Sequence, residues 1–232
     1  ACWTANKGDK SLNLLNDILA AQDIACAVWN GTAWGAPVKI IDDAQADGTV
    51  SLAYDPTLNK SLAVWVHNAD PGKSALNRTA WKLLYSLCDP QANGGAGGFS
   101  TAQDVTGTNT GKSDQMPVAG SDGNGNFLLV WARDDDGVFH TELDKVVNGT
   151  NVDAKNLDSH IMWSKLGEAG WTEPATLATG GEATRVSPSL APAPGGSFLA
   201  VWSEKDPSKA EGKKRSIRYA VYSGGAWSSP DV

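Results

Sequence analysis

The chain has 232 residues, 41% of them hydrophobic, and a formal net charge of -7, so it is long enough to bury a large core without a cofactor to hold it. Its lysines and arginines are scattered apart from "GKKRSIR" at 212–218, which argues against a nucleic-acid partner, and no stretch approaches the roughly 18 apolar residues of a membrane-spanning helix. Ten Trp beside 25 Gly and 11 Pro suit many short strands joined by tight turns, an all-β chain.

In chain order, "ACWT" opens the sequence as the end of an apolar strand that returns three times, in "YDPTLNKSLAVW" (54–65), "GSDGNGNFLLVW" (120–131) and "APAPGGSFLAVW" (191–202). Trp3, Trp65, Trp131 and Trp202 are therefore equivalent. A second motif follows: "IACAVWNGTAWGAP" from 24, "IMWSKLGEAGWTEP" from 161 and "IRYAVYSGGAWSSP" from 217 align without a gap. The remaining copy, "LLYSLC" from 83, reaches its aromatic, Phe99, only after the insert "DPQANGGAGG". With a short opening strand ("MPVAG", "SPSLA") and a last strand after the turn aromatic, each unit reads as a four-stranded antiparallel meander of roughly 64 residues.

Alternation in "IRYAVY" puts Ile217, Tyr219 and Val221 on one face and Arg218, Ala220 and Tyr222 on the other, so sheets are expected against both faces. Stacked meanders of this period predict a β-propeller section of about 3.75 blades and about 15 strands. The expected units are 1–41 (an incomplete first blade), 42–106, 107–178 and 179–232. An innermost strand missing from a closed ring would expose a hydrogen-bonding edge, so the remainder of the same propeller or a second chain is expected to complete the ring.

Cys2, Cys26 and Cys88 form no metal spacing and no disulfide framework. Cys2 and Cys26 fall on neighbouring strands, where a bridge is conceivable, but burial as small apolar residues is the commoner fate and is the expectation here.

The repeats resemble the sialidase-like propellers with bacterial neuraminidase repeats. In that family the turn between the third and fourth strands carries an Asp box, S-x-D-x-G-x-T-W; here "NGTAW", "EAGW" and "SGGAW" keep only Trp34, Trp171 and Trp227. The resemblance implies the architecture and the place of those Trp residues. It implies nothing catalytic: a sialidase needs an arginine triad, a Tyr–Glu nucleophile pair and an acid, whereas Arg78, Arg133, Arg185, Arg215 and Arg218 form no repeated cluster.

The segments after each strand-ending Trp vary in length and join strands two and three, where a rigid scaffold carries function. The candidate ligand-binding residues are therefore His67, Arg133, Asp134, Asp135, Asp136, Glu142 and Glu204. Within "ARDDDGVFHTELDKVVNGTNVDAKNLDSH", Asp134 and Asp136 are weak metal candidates, with Asp122 of the D-x-N-x-N stretch "SDGNGNF"; Ca2+ is the ion they would suit, although a solvated acidic loop and a tight turn explain them better. Leu12, Leu15 and Leu19 predict a short helix covering a sheet end. The expected function is a non-catalytic propeller section of a large secreted or cell-surface protein that binds protein or glycan or serves structurally. The alternatives are part of a sialidase-like glycoside hydrolase, or a lectin with sugar sites between blades.

Overall fold

The structure, a computed structural model, describes residues 1–6, 15–69, 81–95, 97–107, 112–135, 159–180, 183–206, 208–210, 212 and 214–232. Asp136, Glu142, Arg78 and Leu12 lie outside them. Four antiparallel sheets follow one another along the chain. The first is β1 (Cys2–Asn6), β2 (Gln22–Cys26) and β3 (Val38–Lys39), and the second β4 (Asp47–Asp55), β5 (Lys60–Asn68), β6 (Trp81–Asp89), β7 (Gly98–Phe99) and β8 (Gln103–Asp104). The third is β9 (Ser113–Ser121), β10 (Phe127–Asp134), β11 (His160–Gly167), β12 (Gly170–Trp171) and β13 (Ala175–Ala178). The fourth is β14 (Thr184–Ala193), β15 (Ser197–Lys205), β16 (Arg215–Ser223) and β17 (Ala226–Trp227). Strands one to three of each unit described in full are neighbours in sequence and in the sheet, and the last strand pairs back on strand three, the meander that the repeats predict.

The last strand of each unit is the weak one. It pairs with strand three in two pieces, β7 and β8 on β6, β12 and β13 on β11, because a break follows the turn aromatic. Pro174 stands in one such break and cannot donate to the ladder. A hydroxyl replaces the missing pairing: the backbone N–H groups of Leu87, Lys165 and Val221 donate to Ser100 Oγ, Thr172 Oγ1 and Ser228 Oγ, each the residue after its turn aromatic.

The sheets pack face on face, and strand two is shared between two seams. In β10, Phe127, Leu129 and Trp131 join Leu62, Val64 and Leu83 of the second sheet. Val130, the alternate residue, joins Ala200, Trp202 and Ala220 of the fourth. Trp65, Trp131 and Trp202 are at most 1% exposed, each pressed on the sheet before its own, and a truncation of that size to Ala typically costs ~3–5 kcal/mol. Trp3, with no described sheet on that side, is 36% exposed. Gly120 marks how close the seam is: a Cβ there would stand 2.8 Å from the Phe198 ring.

Two expectations need correction. Cys2 and Cys26, directly opposite in the β1–β2 ladder, are joined by a disulfide rather than buried as thiols. Register permits the bond: facing residues of an antiparallel pair bring their Cβ atoms into bridging range, and the cross-link closes a loop whose entropy is worth ~3 kcal/mol. The opening strands are also longer than "MPVAG" and "SPSLA". Each of β4, β9 and β14 carries a bulge centred on a left-handed residue, Thr49, Met116 or Ser187, with φ of 50°, 54° and 53°, and continues upstream of it. The predicted helix is found as α1 (Leu15–Ala20), whose Leu19 packs on the second–third sheet cluster.

At the turn end, Asp55 ties the second sheet to the third. It is fully buried and accepts from Leu58 N, from Ser121 Oγ at 2.7 Å and from Gly125 N at 3.0 Å. Burial raises its carboxyl, but these donors outweigh that and hold it below the usual range. A depressed folded value stabilises the fold above the unfolded value of ~3.9 and loses that contribution as pH falls through the folded one. Asp55→Asn is expected to lose ~1–3 kcal/mol at pH 7 in urea titrations, with the gap to wild type narrowing toward pH 3; a constant gap would show that the carboxylate charge is not what the donors hold.

Candidate functional site

Two ends of the stacked sheets present different chemistry. At the end where strand one begins and strand two finishes, each of the last three sheets carries one charged pair across the β-ladder. Asp47 faces His67, Asp114 faces Arg133 and Arg185 faces Glu204, in identical register and two residues before the bulge. In the third sheet the guanidinium grips the carboxylate with both arms: Arg133 Nε donates to Asp114 Oδ1 at 2.7 Å and Nη2 to Oδ2 at 3.0 Å. Trp131 Nε1 donates to the same Oδ1 at 2.6 Å, and the Arg133 Cζ lies 5.8 Å from the Trp131 ring centroid, within cation–π range.

In the fourth sheet the pair is reversed. Arg185 Nε donates to Glu204 Oε2 at 2.9 Å, its Nη1 to Ser159 O and Ala183 O, and its Nη2 to Gly180 O and Thr179 O, so this side chain clamps the crossover between the third and fourth sheets. Arg218 Nε supplies a second cation to Glu204 at 3.1 Å. The reversal has a cost: with no acid on strand one, the buried Trp202 Nε1 has no acceptor. In the second sheet Trp65 Nε1 and His67 Nδ1 both approach Asp47 Oδ1, at 2.8 and 2.9 Å, and burial pushes the Asp47 carboxyl up.

Three of the residues singled out in the sequence, His67, Arg133 and Glu204, are thus brought to equivalent places, and each is at most 8% exposed. Their partners Asp47, Asp114 and Arg185 were missed, and with them a polar pair that recurs in register. No repeated residue type marks them in the sequence, because the position carries Asp, Asp and Arg in turn. Asp134 is buried beside them, while Asp135 turns outward to His160 Nε2 at 3.2 Å and Lys112 Nζ at 3.4 Å. Asp122 is elsewhere: its Oδ1 accepts from Asn124 N and Asn126 N in a tight turn at the far end of β10, about 20 Å or more from Asp134 at the rise of a strand. One ion cannot take both.

The opposite end, formed by the turns between strands one and two and between strands three and four, carries clefts in the seams. One of about 440 Å3 between the second and third sheets has Phe127 and Leu166 in its lining. The other, about 350 Å3 between the first and second, is lined by Trp29, Trp34, Tyr54, Asn59, Ser61 and Gln91 over Cys88 and Phe99. Its composition follows from the repeat. The facing pair Phe127–Leu166 in the third sheet and Phe198–Tyr222 in the fourth becomes Ser61–Cys88 in the second. Trp29, Trp34 and Tyr54 are 49%, 57% and 51% exposed, and Trp29 and Trp34 lie with ring centroids 5.5 Å apart. Tyr54 Oη donates to Asn59 Oδ1 at 2.9 Å.

Comparison with solved structures bears on the fold. A protein of unknown function from Dyadobacter fermentans superposes with a TM-score of 0.59 at 12% identity, over 99% of this chain and 64% of its own. Trypanosoma rangeli sialidase, solved with the inhibitor DANA, gives 0.51 at 13% identity over 98% of this chain and 35% of its own. The fold is that of a sialidase-like β-propeller. The Hadza microbial sialidase Hz136 agrees, at 0.50 and 11% identity over 92% and 41%. The chain spans 35 to 64% of the length of these three structures. No family model and no curated protein sequence matches it.

Removing one member of a buried pair strands the other, so Asp114→Leu or Arg133→Met alone is expected to cost ~3–5 kcal/mol in denaturant unfolding, while the double substitution recovers most of the loss. Additive single effects would show that the two side chains do not depend on each other.

Proposed function

We propose that this chain is the glycan-binding part of a secreted β-propeller protein, with a sugar held between the first and second sheets. The cleft carries this reading. Exposed indole and phenol rings stack on the apolar faces of pyranose rings, and the side-chain amides of Asn59 and Gln91 with the Ser61 hydroxyl match sugar hydroxyls. Its lining holds no carboxylate, arginine or histidine among the described residues, which suits retention of a sugar rather than acid–base hydrolysis. The Cys2–Cys26 bridge supports an oxidising compartment, and no described helix is long and apolar enough to cross a membrane.

Both outer flanks support a larger ring. Leu128, Val130 and Ile161 on the third sheet are at most 2% exposed beneath the fourth, whereas Leu199 and Ile217, their counterparts on the fourth, are 38% and 62% exposed, with Tyr219 and Val221 beside them. On the first sheet Trp3, 36% exposed, shows the matching flank. Further sheets of the same kind cover these faces, continuing the seam geometry already present three times.

A glycan array followed by calorimetric titration is expected to find ligands that Tyr54→Ala weakens at least tenfold and Ser61→Phe, which restores the bulk of the other seams, abolishes. Absence of any glycan binding, or turnover of a fluorogenic glycoside by the chain itself, would overturn the reading. In sedimentation, the isolated chain is expected to self-associate and Ile217→Lys with Val221→Lys to suppress it; a clean monomer at millimolar concentration would count against covered flanks.

A further inference from the structure

The second and third sheets differ at one position of their rim pairs, histidine for arginine, and the exchange leaves one buried oxygen without a donor. Asp114 has both oxygens engaged, Oδ2 by the second arm of the Arg133 guanidinium. On Asp47 both donors, Trp65 Nε1 and His67 Nδ1, converge on Oδ1, and Oδ2 accepts nothing although the side chain is 0% exposed. An imidazole has no fork with which to span a carboxylate. Leaving an ionised oxygen sealed from water and without a donor is among the costlier arrangements a protein interior can hold. In the neighbouring seam that oxygen is met by a cationic group.

Asp43 makes the comparison specific. Ligand atoms of Asp43, Asp47 and His67 all lie within 4.8 Å of one another. That is no farther than two ligands can stand across a single ion with bonds of ~2.0–2.4 Å. Two of the three come from the stretch Asp43-Ala44-Gln45-Ala46-Asp47, in which Gln45 Oε1 is likewise buried without a donor. Neither rim pair of the other two sheets has such a third ligand among the described residues.

We propose that Asp43, Asp47 and His67 bind a divalent transition ion of the Zn2+ or Mn2+ kind. One imidazole with two carboxylates favours such an ion over Ca2+ or Mg2+, which prefer all-oxygen surroundings. The ion stands where the guanidinium stands in the next seam, and it fastens the connection entering β4 to the end of β5. It is separate from the sugar cleft, which opens at the other end of the same seam.

Titration of the chelator-treated full chain with ZnCl2 and MnCl2 by calorimetry, with thermal unfolding in parallel, tests this. One equivalent is expected to bind and raise the midpoint, Ca2+ and Mg2+ binding at least tenfold more weakly. Asp43→Asn, at a partly exposed position, is expected to weaken binding at least tenfold. His67→Arg supplies the fork seen at Arg133, so it is expected to fold at least as stably as the metal-free wild type and to lose the response to Zn2+. Absence of stoichiometric binding to the wild type, or wild-type affinity in both variants, would overturn the site; a Ca2+ preference would overturn the choice of ion.

Discussion

One constraint organises this molecule: strand two of the second and third units, β5 and β10, is covered on both faces by neighbouring sheets. All eight residues of β10 are buried, the odd-numbered ones facing one seam and the even-numbered ones the next. A strand in that position cannot alternate apolar and polar residues; it must be apolar throughout and end in a large ring that fills the widening gap. The repeated "FLLVW" is the sequence expression of that requirement. Where a neighbour is absent from the described residues the same positions stand open, as Ile217 and Trp3 do.

The requirement ends where strand two meets its loop, and there the chain changes chemistry. A charged residue two positions past the Trp is still inside the seam, so it needs a partner of opposite sign within the same ladder, and strand one supplies it. Because each pair is local to its sheet, the sign can be inverted without disturbing the next seam. Arg185–Glu204 does so, and the loss falls only on the Trp202 indole N–H. The bulge beside each pair turns the start of strand one so that its side chain meets strand two rather than running on in the pleat.

Much of this was legible in the sequence. Trp65, Trp131 and Trp202 at matched places in gapless repeats gave the sheets, their order and the seams, because burial on both faces leaves an uninterrupted apolar run. The rim pairs were not legible, for a physical reason. The left-handed residue at Thr49, Met116 or Ser187 breaks the period-two pattern, so strand one reads as beginning after it and the charged residue ahead of it reads as loop. Asp, Asp and Arg at one position also defeat any search for a repeated residue, since what recurs is the pairing across the ladder and not the side chain. The Cys2–Cys26 bridge was visible as adjacency but not as a bond, because register alone does not tell a thiol pair from a disulfide.

The two ends of the stack are unequal as places to bind something. At the rim, Arg133 and Glu204 already have partners inside the seam, so a sugar there would have to break ion pairs whose separated members remain buried. At the turn end the polar groups lie at the surface, and the rings of Trp29, Trp34 and Tyr54 keep about half their area in water. Covering exposed aromatic surface is favourable wherever it happens, whereas opening a buried pair is not. That difference in free energy, rather than the length of the loops, favours the turn end as the place where a ligand settles.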